Sequence, residues 1–251
     1  MTLQAPPHLS PSSINTFQSC PLKFKYSKID GMTEPPTIHT LLGNFVHDIL
    51  ESLYLLPAED RTLNSARALA REHWDSKYEL GAQELRIEGR PFRHKAWWCV
   101  ENLWKLENPQ ETDIQAVEQE VYGAIEGVTI KGFIDRYKLN SDGTIVIEDY
   151  KTGKVPDARF TDDKFVQLFI YAVMLQELGV GKSSNVSLMY LAGPKVLTRD
   201  VTEESLDNTV SLIVNTKKQI DRYCEDGSFP TKKSGLCNWC TFKKICPAWT
   251  R

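Results

Sequence analysis

Between Ala116 and Lys151 the chain reads as three β-runs in close succession, AVEQEVYGAIEG, VTIKGFIDRYKLN and TIVIEDYK. Their joints, Glu126-Gly127 and Ser141-Asp142-Gly143, are hairpin punctuation, because glycine accepts the backbone angles of tight turns. Three consecutive strands fit a sheet with segregated helices better than a doubly wound order, in which helices separate the strands. KFVQLFIYAVMLQELG, residues 164–179, is apolar nearly all round, as expected of a helix packed on a sheet and covered elsewhere. NVSLMYLAG and KVLTRDVT read as two more strands, and EESLDNTVSLIVNTKKQIDRYCEDG as a long helix. The predicted class is α/β (α+β), with helices segregated around a sheet.

Upstream, Ser10 is placed to N-cap a helix with Pro11 at its first position, and Pro21 is expected to end it. GMTEPPTIHT, residues 31–40, reads as a loop, and LLGNFVHDILESLYLL has apolar residues at 42, 45, 46, 49, 50, 53 and 54, a helical period. Helical patterns continue through 61–107 around a turn-like IEGRPF, so that 40–107 is expected to be mostly helical. With 251 residues, 41% of them hydrophobic, the chain can bury a substantial core. A net charge of −3 argues against a uniformly basic nucleic-acid coat but leaves room for a local groove. No apolar run reaches the roughly 18–20 residues of a membrane span, and the N-terminus lacks a signal-peptide pattern. The expected location is the cytosol.

Chemistry concentrates where IVIEDYKTGK passes from aliphatic to charged residues. Asp149 and Lys151 are two apart, so on a strand they share a face, whereas Glu148 and Tyr150 point the other way and Glu148 is expected to tolerate substitution. Pairing through the Ser141-Asp142-Gly143 turn would bring Asp135 beside Asp149, and a divalent cation would remove the repulsion between the two carboxylates. Lys151 could then orient or deprotonate a metal-bound water, or stabilise charge on the phosphorus. A D-x-K tripeptide alone is most often a solvated strand end; the weight lies in its context. The upstream Gly-Phe-Ile-Asp and the Lys-Thr-Gly turn belong to that context, as do Gln167 and Tyr171, one helical turn apart, whose polar groups need partners if buried. His47 flanks the apolar face of its helix near Glu51 and, read alone, is a boundary histidine.

Three of the six cysteines fall in CNWCTFKKIC, a C-x2-C-x5-C spacing, and no histidine follows His94 to complete a local site. Cys20 is the natural fourth ligand, and four thiolates suit zinc or an iron–sulfur cluster. Cys99 and Cys224 fall outside this spacing and read as buried small hydrophobes.

In order and spacing, SPSSINTFQSCPLKF, GNFVHDILE, KGFIDR, IEDYKTGK, QLFIYA and CNWCTFKKIC resemble the RecB-like branch of the PD-(D/E)XK nucleases, including CRISPR-associated and AddB-related members with an iron–sulfur cluster. The resemblance implies one nuclease domain over 1–251 with a restriction-endonuclease-like core at 114–202, a central mixed sheet flanked by helices, and a helical region at 40–107. It also implies an iron–sulfur lobe formed by 10–30 together with 224–251. His47, Asp135 and Asp149 match the family's ligands for Mg²⁺ or Mn²⁺, Tyr150 would add its backbone carbonyl, and Lys151 matches the catalytic lysine. Gln167 and Tyr171 match a helix motif that shapes the site and contacts the DNA backbone. Cys20, Cys237, Cys240 and Cys246 would hold a [4Fe–4S] cluster of structural role. Ile134 stands where the family name has proline, a departure common in this branch.

The implied activity is a DNA exonuclease acting 5′ to 3′ on single strands in recombination, repair or phage DNA processing. Recombination, helicase or CRISPR-adaptation proteins are its implied partners. The alternatives are a non-catalytic module that binds DNA ends, and a partner-dependent nuclease that trims fragments in CRISPR adaptation. Lys23, Lys25 and Lys28, Arg90, Arg93 and Lys95 beside Trp97 and Trp98, and Lys232, Lys233, Lys243 and Lys244 are candidates to line a DNA path.

Overall fold

The computed structural model describes residues 3–157 and 161–250. Ser10 caps α1 (Pro11–Ser19), its hydroxyl accepting from the Ser13 N–H at 3.1 Å. Pro21 ends this helix through the residue before it. Cys20 is extended (φ −162°), as a residue preceding proline prefers, and Pro21 then opens α2 (Pro21–Phe24). α3 (Ile38–Tyr54) starts earlier than the apolar period suggests, because Thr37 and Thr40 cap it reciprocally and draw the end of the expected loop into the helix. α4 (Leu63–His73), α5 (Glu79–Glu84) and α6 (Gly89–Leu103) complete the helical region, with α6 beginning inside the expected turn.

The meander forms as expected from β1 (Ala116–Ile125), β2 (Val128–Leu139) and β3 (Ile145–Lys151), all antiparallel neighbours. α7 (Asp162–Glu177) carries the chain to β4 (Ser183–Tyr190), which pairs parallel to β3; β5 (Lys195–Asp200) returns antiparallel, and α8 (Glu203–Glu225) leads to the cysteine-bearing tail. The result is a mixed five-stranded sheet in the order β1-β2-β3-β4-β5, flanked by helices. β3 is buried from Ile145 to Tyr150, which suits a central strand covered on both faces. One core packs Ile145, Ile147 and Leu188 against α7, α1 and α8; the other packs Tyr150 and Met189 against α3 and α6. Among the described residues no helix is long and apolar enough to cross a membrane.

The sheet changes face at one place. On β2, Ile134 belongs to the core under α7, but Arg136, which a regular strand would turn to the same face, reaches Met189 on the opposite side. On β1, Val121 lies under α7 whereas Val117 packs on the helical side. Between them, Glu118 lies across from Asp135, is skipped by the paired positions and has φ +44°. Such a backbone is strained for a residue with a Cβ, and strain of this kind gathers at functional sites.

Arg136 fills the space that the change of face opens. It is 0% exposed and forms a two-pronged pair with Glu107 (2.6 and 2.8 Å) and a 2.6 Å contact with Glu148. Tyr54 and Tyr150 lie 4.9 and 5.0 Å from the guanidinium carbon, and the Tyr54 hydroxyl donates to Glu107. Lys138 adds a second cation to Glu148 at 2.8 Å, so two acids face two bases. This corrects the expectation that Glu148 tolerates change. It does face away from Asp149, yet it is 4% exposed and holds a buried arginine. Glu148→Ala should lower the unfolding free energy by about 3 kcal/mol, the cost of leaving a buried charge partly unpaired; urea denaturation measures it, and a loss below about 1 kcal/mol would contradict this account.

Candidate active site

Asp135 lies where β2 and β3 part. The last paired positions are Arg136 and Glu148, and beyond them the Tyr150 N–H, deprived of a strand partner, donates to Asp135 Oδ2 at 2.8 Å. α3 brings His47 to the same point, with Nε2 3.0 Å from the Tyr150 carbonyl and Nδ1 3.4 Å from Asp135 Oδ2. Glu118 completes the group. Its carboxylate, one oxygen of Asp135 and one nitrogen of His47 all lie within 4.8 Å of one another, a spacing that one metal ion could span.

Asp149 lies alongside, buried on the α7 side. Its Oδ1 accepts from Gln167 Nε2 at 3.2 Å, and its Oδ2 lies 2.5 Å from Lys151 Nζ. Gln167 also approaches the Tyr171 hydroxyl at 3.5 Å. Tyr171 can lie against β2 only because residue 132 is glycine, since a Cβ there would meet its ring at 2.7 Å. That close approach gives the glycine of Gly-Phe-Ile-Asp a physical reason.

The charges are arranged unequally. Burial and the neighbouring Asp135 push the Asp149 carboxyl up to about 6, against the pull of Lys151. Burial and Asp135 also lift Glu118 to about 7. Burial alone would strip the proton from His47, but Asp135 outweighs it and raises the imidazole to about 9. Asp135, although buried, is held below the usual carboxylate range by His47 and the Tyr150 N–H. The pocket therefore keeps protons where a dication would replace them.

All seven residues predicted for this centre, His47, Asp135, Asp149, Tyr150, Lys151, Gln167 and Tyr171, meet in one chain of contacts. Glu118 was not anticipated. In AVEQEVYG it alternates with Glu120, which pairs with Lys131 at 3.2 Å on the surface, so period two assigns both acids to solvent. Only the positive φ at Glu118 turns its side chain inward. Far from this centre, Cys20, Cys237, Cys240 and Cys246 line one cavity of about 210 Å³ with Trp239 and Trp249. Among the described residues no three cysteine sulfurs lie within 4.8 Å of one another. Cys99 and Cys224 are buried elsewhere, as expected.

The family model of the PD-(D/E)XK nuclease superfamily matches residues 8–247. The chain is 22% identical to the Gene 69 protein of Mycobacterium phage L5, over 97% of both proteins. It is 26% identical to the Gene 69 protein of Mycobacterium phage D29, over 66% of this chain and 68% of that protein. Among solved structures, that of a provisionally assigned exonuclease from Eubacterium rectale superposes with a TM-score of 0.60 at 13% identity, covering 93% of this chain and 86% of the other.

Metal binding must expel the protons held on His47, Glu118 and Asp149, so affinity should rise with pH. Mn²⁺ titrations should show the steepest gain below about pH 6, where Asp149, Glu118 and His47 all carry protons, a smaller one between 6 and 7 once Asp149 has ionised, and the shallowest from 7 up to about 9, where only His47 remains protonated. Affinity that is flat across this window would contradict the assignment.

Proposed function

Because the chain belongs to the PD-(D/E)XK nuclease superfamily, we propose that it is a divalent-metal-dependent DNA exonuclease that degrades single strands from the 5′ end. The observation that carries this reading is the convergence of His47, Glu118 and Asp135 beside the Asp149–Lys151 pair. His47, Asp135, Asp149 and the Tyr150 carbonyl, joined by Glu118, would hold Mg²⁺ or Mn²⁺, which supplies positive charge against the scissile phosphate and acidifies water. The donor set fits such an ion, since it is oxygen-rich and its two buried aspartates otherwise repel each other.

Lys151 acts from the Asp149 side. Burial alone would favour its neutral form, but Asp149 and Asp135 outweigh that and raise its pKa. It therefore serves as a fixed cation that orients the attacking water and offsets the charge gathering on the phosphate as the P–O bond to the leaving strand breaks. Gln167 keeps Asp149 aimed, and Tyr171, held beside Gly132, borders the path of the DNA backbone. Both curated relatives come from mycobacteriophages, which favours phage DNA processing over CRISPR adaptation as the setting.

The cysteine cavity is proposed to hold a [4Fe–4S] cluster in a lobe made by 10–30 and 224–251. A single zinc needs four sulfurs about 3.8 Å apart, given Zn–S bonds of about 2.3 Å. The four thiols line a common cavity without drawing that close, which suits a wider cluster. Its binding would tie the first helix to the tail and add to folding stability.

Cleavage of 5′- and 3′-labelled single and double strands with Mg²⁺ or Mn²⁺ tests the enzyme reading. Asp149→Ala and Lys151→Ala should each lower the rate at least about 100-fold, in keeping with loss of a charge that acts on the transition state; activity surviving both would sink the site. Anaerobically purified protein should be brown, absorbing near about 400 nm; a colourless protein with stoichiometric zinc would refute the cluster.

A further inference from the structure

Four arginines face one another across a groove remote from the cysteines. Arg67 and Arg71 lie one turn apart on α4, Arg90 and Arg93 lie about one turn apart at the start of α6, and together they line a cavity of about 300 Å³ whose floor includes Trp74 and Phe45. Among the described residues, the arginines that ion-pair are Arg136, Arg199 and Arg222. Among the described residues none of the groove's four arginines has an acidic partner. That is unusual in a chain with 33 acids and a net charge of −3. Like charges at helical spacing repel by a few tenths of a kcal/mol per pair, so the arrangement works against helix stability unless an anion offsets it.

Two of the guanidinium groups are held in place. Arg67 stacks 4.8 Å over Trp97, and Arg93 stacks 5.0 Å over Trp74. Stacking uses the face of the guanidinium; the Arg93 Nε–H also donates to the Gly89 carbonyl at 3.4 Å, and the terminal N–H groups are left to receive a phosphate on two prongs. Several of the other basic groups picked out along the sequence are differently occupied, and Lys233 and Lys243 lie over Trp249 beside the cysteines. Lys23 and Lys25 pair with Glu34 and Asp30 at 2.9 and 2.7 Å, Lys232 donates to the Gln18 carbonyl, and Trp98 turns away to donate to the Ala192 carbonyl.

The groove and the metal centre share α3. Phe45 and Ile49 line the groove, whereas His47, about 200° round the helix from Phe45, meets Tyr150. The two sites are thus on opposite sides of one helix, separated by a helix diameter of about 10–12 Å. A flexible single strand can cover that distance. We propose that the α4–α6 groove binds the phosphates of single-stranded DNA, gripping a stretch of strand beyond the one at the metal centre. The choice of DNA over an acidic peptide rests on the nuclease reading of the neighbouring centre.

The test is fluorescence anisotropy, without divalent metal, on an oligothymidylate of about 20 nucleotides, longer than one groove covers. The double variant Arg71→Gln/Arg90→Gln spares both stacked arginines. It should weaken binding at least about fivefold and reduce the slope of log K against log salt by about 1.4, two phosphate contacts' worth for a single strand. Lys195→Gln/Lys218→Gln, with the same loss of charge on exposed positions elsewhere, should shift the dissociation constant less than about twofold. An unchanged salt slope in the arginine variant, or an equal loss in the lysine variant, would overturn the proposal. Tighter binding of a polyglutamate peptide than of DNA would overturn it too. Thermal unfolding of both variants confirms that they are folded. Because no cleavage is needed, a wild-type protein that bound DNA through the groove but never cut it would refute the nuclease reading and leave this one standing.

Discussion

The buried guanidinium of Arg136 adds a charged anchor to the apolar packing that joins the helical region to the sheet. It is held by Glu107 from the end of the helical region and by Glu148 from the central strand, between rings from α3 and β3. Burial would favour loss of its proton, yet the surrounding anionic groups keep it firmly cationic. A charge so enclosed cannot shift without exposing unpaired partners, so its position fixes α3 against β3. Tyr54, which packs on Arg136, is two turns beyond His47 on the same helix. That anchorage and the apolar packing of α3 on Tyr150 and Met189 together hold His47 at the Tyr150 carbonyl.

The change of face at Asp135 and Glu118 has the same origin. A strand of unbroken period would point Arg136 into the aliphatic core beneath α7, where no acid awaits it. Turning the strand there sends the arginine to Glu107 and Glu148, and it ends the β2–β3 ladder one residue early. The orphaned Tyr150 N–H then takes Asp135 as its acceptor. Structural necessity and site construction coincide at one pair of residues, and the positive φ of Glu118 is where the strain collects.

Much of this could be read along the chain. The meander, the crossover helix, the capped first helix and the helical region lie close to where period and turn chemistry put them, and the helix starts that differ are set by caps such as Thr37 with Thr40. Asp149 and Lys151 share a face because they are two apart on a strand, and Gln167 and Tyr171 because they are one turn apart on a helix. The direction of Glu148 is legible in the strand period, but the buried charge of Arg136 that it meets is not. Glu118 was passed over because alternation assigned it to solvent. Arg67 and Arg71 carry no local mark at all, since their significance comes from α6 lying opposite.

Local spacing therefore determines which residues share an element and a face, since backbone geometry repeats every two or 3.6 residues whatever surrounds it. It also sets Asp149 beside Lys151 and Gln167 beside Tyr171, whereas a role for His47 and the Tyr150 carbonyl is implied only by the family resemblance. What the chain cannot state locally is how faces from distant segments meet: His47 with Tyr150, Glu118 with Asp135, Glu107 with Arg136, and α4 with α6. Those encounters are decided by burial and charge pairing summed over the whole molecule. At Glu118 that sum outweighs the strand period, because an acid drawn inward toward His47 and Asp135 requires a backbone that no regular strand supplies.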